Sequence, residues 1–182
     1  MTLIYIAFGI SLLLSLWHLA EEYCGELWDY FGNIAGVCIP RWLGVFAFTG
    51  LLGIALFVAG LGILDLDENP TARWPSLVGI GFLIGTRLSD WWNSHFRLQR
   101  KFPTREGYPS NPGLLSAWFY LGDAALLIVL LGIYREQWIA QPSWPPLLIG
   151  LLLGTIFFFV LIPALKLIRH RLPKAYRTSA WG

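Results

Sequence analysis

The sequence predicts an all-α, polytopic membrane protein: one transmembrane domain over residues 1–182, built as a bundle of about five transmembrane helices. Three observations predict it. Hydrophobic residues make up 56% of the chain and charged residues only 13%, where soluble domains run nearer a quarter charged. The apolar residues form runs close to the roughly 20 that a helix needs to cross a hydrocarbon core about 30 Å thick. Lys and Arg concentrate on alternate connections, as in a chain threaded repeatedly through a bilayer. The net charge of +2 is too small to predict a nucleic-acid partner.

The first span covers about residues 3–20. It has no basic n-region, and Glu21-Glu22-Tyr23-Cys24 is not a small-residue cleavage site, so it reads as a retained helix rather than a signal peptide. Residues 23–41 mix Trp28, Tyr30 and Phe31 with Glu26 and Asp29, the composition of a short interfacial helix at the headgroups. The second span covers 43–64. Asp65 to Pro70 then breaks the helix; the acidic run lacks the ligand spacing and central Gly of a calcium loop and reads as a solvated turn. The third span, 75–96, begins apolar and ends polar, with Arg87, Asp90, Asn93, Ser94 and His95. After a basic loop, Tyr108 to Gly113 is turn chemistry leading into the fourth span, 114–134, which carries Asp123. The fifth span is 145–168, followed by a basic tail, 169–182.

Gly81 with Gly85, and Gly150 with Gly154, are small residues four apart that let helices approach closely. Trp28, Trp42, Trp74, Trp138 and Trp144 fall near span ends, as an aromatic belt does. The side holding the first and third connections and the tail carries ten Lys and Arg outside the spans, counting Lys166, against two on the other side. The positive-inside rule therefore predicts a multi-pass plasma (inner) membrane protein with its N-terminus outside and its C-terminus cytoplasmic. Cys24 and Cys38 then face the reducing compartment and are expected as free thiols.

This orientation gathers the polar motifs at the cytoplasmic face. His18, Glu21 and Glu22 stand at i, i+3 and i+4, on one helix face, where they suit metal binding or proton transfer, or a solvated helix end. Asp90, Asn93 and His95 form a second cluster that does not share one face of an ideal helix. At about 1.5 Å per residue His18 and His95 nevertheless lie at similar depth. Arg87 and Asp123 sit deeper, where an ionisable group costs about 2.5–3.5 kcal/mol even on insertion scales. They are expected to pair, with Asp90 nearby. The candidate catalytic residues are His18, Glu21, Glu22 and His95. The candidate metal ligands are His18, Glu22 and His95, which suit zinc, iron or manganese (Zn, Fe or Mn). Arg87, Asp90, Asn93 and Asp123 are expected as buried polar groups. His170 reads as a surface residue of the tail.

His18-Leu19-Ala20-Glu21-Glu22 resembles the HXXEE family of small multi-pass membrane proteins, and Asn93-Ser94-His95 and Tyr108 with Pro112-Gly113 are similar to two further motifs of that family. The resemblance covers the first helix and about residues 90–120. It implies a membrane-embedded site that includes His18, Glu21, Glu22 and His95; the family's reaction is not established, so it implies no reaction.

Three functions fit these residues. One is a membrane-embedded enzyme or metal-binding protein acting at the cytoplasmic interface on a lipid-like or amphiphilic substrate. Another is an accessory subunit of a larger membrane complex that binds pigment or lipid, with the Trp content and glycine faces packing on partners. The last is a small ion- or proton-coupled transporter with Arg87 and Asp123 on its path, although no internal repeat is evident. No Ser-His-Asp arrangement, phosphate loop or HExxH zinc motif is apparent, so no reaction class is chosen.

Overall fold

The computed structural model describes residues 2–64, 73–102, 114–133 and 144–178. The Asp65–Pro70 turn, the Tyr108–Gly113 turn and the expectations for Arg105, Arg135 and Trp138 lie outside the described residues. The described chain is helical: α1 Thr2–Cys24, α2 Leu27–Ala35, α3 Arg41–Leu64, α4 Arg73–Ser89, a π-helical segment Asp90–Leu98, α5 Gln99–Lys101, α6 Leu114–Ile133 and α7 Trp144–Arg169. A short 3-10 turn follows at Lys174–Tyr176. Among the described residues, α7 is the helix long and apolar enough to cross a membrane, and Arg41–Leu56 and Leu115–Val129 are shorter apolar stretches.

The helix boundaries differ from the expected spans where polar side chains find partners. α1 runs past Ala20 to Cys24, so His18, Glu21 and Glu22 lie within one unbroken helix. The third segment does not end at Phe96 but continues to Lys101 through the π-helical segment.

α4 is the central helix, packed by α3, α6 and α7. Its contact with α7 is the tightest. A Cβ placed on Gly81 or Gly85 would collide with backbone atoms of Leu147, Leu151, Gly154 or Thr155, and one on Gly150 or Gly154 with backbone of Val78, Phe82 or Thr86. Here the small residues are required by the approach of two backbones. α1 packs chiefly on α6 and, less extensively, on α3. It is not a close backbone neighbour of α4, so side chains span the gap between them.

α2 has the amphipathic face expected of it, and that face covers the bundle itself. Leu27, Trp28, Tyr30, Phe31 and Ile34 are buried in the same core as Leu77, Ile80, Phe158 and Ile162. Trp28 is therefore a core residue rather than part of an aromatic belt, with its indole where a side chain on Gly44 would be. Trp42, Trp74 and Trp144 are exposed as expected. Burial raises the Tyr30 phenol well above its ordinary pKa, and its hydroxyl donates to the Phe102 carbonyl at 2.6 Å. Arg41 is held by Glu26 and Asp29 rather than facing solvent unpaired.

The basic tail is folded back on the chain. The Cys38 N–H donates to the Tyr176 carbonyl at 2.9 Å and the Thr178 N–H to the Gly36 carbonyl at 3.0 Å. Arg169 Nε donates to the same Gly36 carbonyl at 3.0 Å. Gly36 caps α2 at φ 73°, a backbone conformation that glycine adopts without steric cost. His170 is exposed, and Cys24 and Cys38 are free thiols.

Candidate functional site

Three helices carry polar residues on inward faces at alternating steps of four and three. On α1 these are Ser11, Ser15, His18 and Glu22; on α6, Ser116, Tyr120 and Asp123; on α4 and its extension, Arg87, Asp90 and Ser94. All ten are buried. Such spacing keeps a polar stripe on one side of a helix, and the three stripes face one another.

The deeper layer is an ion pair. Arg87 Nε donates to Asp123 Oδ2 in a close contact. Arg87 Nη2 donates to Ser11 Oγ at 2.7 Å and to Ser15 Oγ at 3.1 Å. Arg87 Nη1 donates to the Leu83 carbonyl at 3.1 Å, and Ser11 Oγ donates to Asp123 Oδ2 at 2.9 Å. The long guanidinium bridges α4 to both α1 and α6, and this layer is neutral in itself. Asp90 is not part of it.

Tyr120 separates this layer from the next. Its ring lies 4.8 Å from Arg87 Cζ and 4.3 Å, centroid to centroid, from the His18 imidazole. Beyond it His18 Nε2 meets Asp90 Oδ2 at 2.7 Å and Glu22 Oε1 at 3.0 Å. His95 Nε2 reaches the same Asp90 oxygen at 3.6 Å, and the two imidazoles stand 5.5 Å apart. One ligand atom from each of His18, Glu22, Asp90 and His95 lies within 4.8 Å of every other. On its other side, His18 Nδ1 is 2.5 Å from Ser116 Oγ.

The π-helical segment is what brings His95 in. Residues five apart diverge by about 140° on an α-helix of 3.6 residues per turn. The i→i+5 bonding of a π-helix returns them toward one side, so Asp90 and His95 both face the cluster.

Two of the expected site residues point elsewhere. Glu21 is not in the cluster: its Oε2 accepts the Ser116 backbone N–H at 2.9 Å, satisfying an orphan donor in the first turn of α6 where a negative charge also suits the helix dipole. Asn93 turns to the opposite side of the π-helical segment, where its Nδ2 donates to the Phe158 carbonyl at 2.8 Å and its Oδ1 accepts from Arg97 at 3.1 Å.

Asp90, expected near the Arg87–Asp123 pair, is instead the hub of the two histidines. Ser11, Ser15, Ser116 and Tyr120 were not singled out in the sequence. The line Ser116–His18–Asp90 is a Ser-His-Asp arrangement assembled from three separate segments, which no local spacing could reveal.

The donor set is chemically that of a divalent metal. Two imidazoles and two carboxylates are ligands that zinc, iron and manganese accept. Glu22 Oε2 and Asp90 Oδ1 are buried without a hydrogen-bond partner among the described residues, a situation that costs about 1–3 kcal/mol per neutral group and more for a charged one. Two adjacent buried carboxylates repel when both ionise, and a divalent cation balances that pair of charges. Were His18 to hold such an ion through Nε2, its Nδ1–H would be left to donate to Ser116 Oγ, the usual outer partner of a metal-bound histidine.

No family model matches the chain, and neither a curated protein nor a solved structure gives a match.

Proposed function

We propose that this chain is a five-span membrane protein that binds a divalent metal through His18, Glu22, Asp90 and His95 at its cytoplasmic face, and that the site is enzymatic. The convergence of these four buried side chains within 4.8 Å carries the reading. The membrane placement is supported by an inverted distribution of polarity. Leu13, Phe46, Ile54, Leu152 and Leu167 are exposed, while Arg87, His18, Asp90 and Asp123 are buried. Lipid tolerates the first set, and a bundle interior must hold the second. The ten-to-two bias of Lys and Arg supports the orientation. The resemblance to the HXXEE family supports His18 and Glu22 as site residues; Glu21 fits a capping role better.

The experiment is metal analysis of the purified protein beside His18→Ala. One divalent ion per wild-type chain and none in the variant is the expected result. A wild type purified without chelator that neither carries nor takes up an ion overturns the metal site.

A metal-free reading is favoured by one observation, the line from Ser116 Oγ through His18 to Asp90. It is the hydrogen-bonded arrangement by which a serine nucleophile is activated, and a fluorophosphonate adduct on Ser116 would select it. An accessory subunit is favoured by Gly9, Gly50 and Gly53, which have open space on their outer sides where a partner helix fits. For a transporter the polar layers extend too little among the described residues: past Ser11 the buried side chains are mostly apolar, Ala7, Leu77, Ile80 and Leu127, with Ser76 the polar exception.

A further inference from the structure

His95 belongs to the buried cluster and also lines a surface groove of about 660 Å³ together with Trp92, Phe96, Arg97, Arg100 and Lys101. The groove is large enough for a small ligand. Its chemistry is divided. One part is cationic: Arg97 gives one N–H to Asn93, while Arg100 and Lys101 have no carboxylate partner among the described residues. The other part is aromatic. Phe96 packs on Trp91 and Trp118 with centroids 5.0 and 5.8 Å away, and the exposed flank of α6 continues this surface through Leu115, Trp118 and Phe119.

We infer that this groove binds the phosphate headgroup of an anionic lipid between Arg100 and Lys101, with the acyl chains along the Phe96–Trp118 flank and the headgroup against His95. The inference rests on the membrane reading above and names the substrate class of the same site. Charge complementarity selects an anion. The adjoining apolar flank selects one attached to a hydrocarbon chain, because a soluble anion gains nothing from that surface. Cations at the cytoplasmic membrane surface draw anionic lipid in the same way.

The test is a titration of dioctanoyl phosphatidate into the purified full-length protein in neutral detergent, followed by native mass spectrometry. The variants are Arg100→Gln/Lys101→Gln and, as a control with equal loss of charge on the tail, Arg171→Gln/Lys174→Gln. The groove variant is expected to bind phosphatidate roughly 30-fold more weakly, the effect of about two interfacial charges. The tail variant is expected to match wild type, and dioctanoyl phosphatidylcholine to bind more weakly than phosphatidate. Equal losses in both variants, or no preference for phosphatidate over phosphatidylcholine, would overturn the inference. So would displacement of the lipid by inorganic phosphate at similar concentration, which would make this a soluble-anion site. Metal content measured on the same samples separates this outcome from the metal reading: bound metal with no lipid preference removes the headgroup site alone.

Discussion

His18 Nε2 stands 2.7 Å from Asp90 Oδ2, and this contact joins two helices that are not close backbone neighbours. Neither residue can leave it cheaply. Both are fully buried, and Asp90 also faces His95 while His18 also faces Glu22 and Ser116. The pair is the centre of the proposed metal site, and the outer residues act through it.

The Arg87–Asp123 layer is structural in this account. Asp123→Asn or Arg87→Gln leaves the other charge buried and unpaired, which costs about 3–5 kcal/mol. Thermal melting in detergent should fall markedly for either variant. The double variant Arg87→Met/Asp123→Leu should recover much of the loss. Singles with unchanged melting would show that the pair does not hold the helices.

Deleting Phe96 removes one residue from the π-helical segment beyond His95, so α-helical bonding resumes with Asp90 and His95 still five residues apart and about 140° apart around the helix. Metal affinity should drop by roughly 100-fold or more, since a lost ligand costs at least as much as a lost outer partner. A deletion variant with wild-type affinity would show that the π-helical segment does not position His95.

Ser116 separates the metal reading from the metal-free one. As an outer partner of a metal-bound His18, its replacement by Ala should weaken metal binding roughly 10- to 100-fold and leave stoichiometry intact at saturation. Competition with a chromophoric chelator measures this. Unchanged affinity would remove Ser116 from the metal site.

Gly150 and Gly53 form a contrasting pair. A side chain on Gly150 meets α4 backbone, while one on Gly53 meets nothing. Gly150→Val should drive α4 and α7 apart, with a loss beyond the roughly 1–3 kcal/mol of ordinary overpacking because backbone cannot yield as side chains do. Gly53→Val should melt like wild type. Similar melting of both would contradict the α4–α7 contact.

The helices were legible because long apolar runs and glycines four apart leave few alternatives. The pairing of Arg87 with Asp123 was legible from energy alone, since two opposite charges deep in apolar segments must find each other. His18 with Glu22 followed from helical spacing. His95 did not, because a regular helix turns it away from Asp90 and nothing in Trp91-Trp92 announces a π-helical segment. Glu21 misled by proximity, as adjacent helical residues face about 100° apart and only Glu22 follows His18 inward. Ser116 and Tyr120 escaped because small or amphipathic residues in apolar helices attract no notice singly. The steps Ser11–Ser15–His18–Glu22 and Ser116–Tyr120–Asp123, read together, carried the signal. The fold-back of the tail onto Gly36 is non-local and left no mark in the sequence.

The central claim is tested most directly by metal content at saturation across six single alanine variants. His18→Ala, Glu22→Ala, Asp90→Ala and His95→Ala should each lose most of the ion bound by wild type. Glu21→Ala and Asn93→Ala, at neighbouring positions but turned away from the cluster, should retain it. Retention in any two of the first four, or loss in the last two alone, would contradict the site.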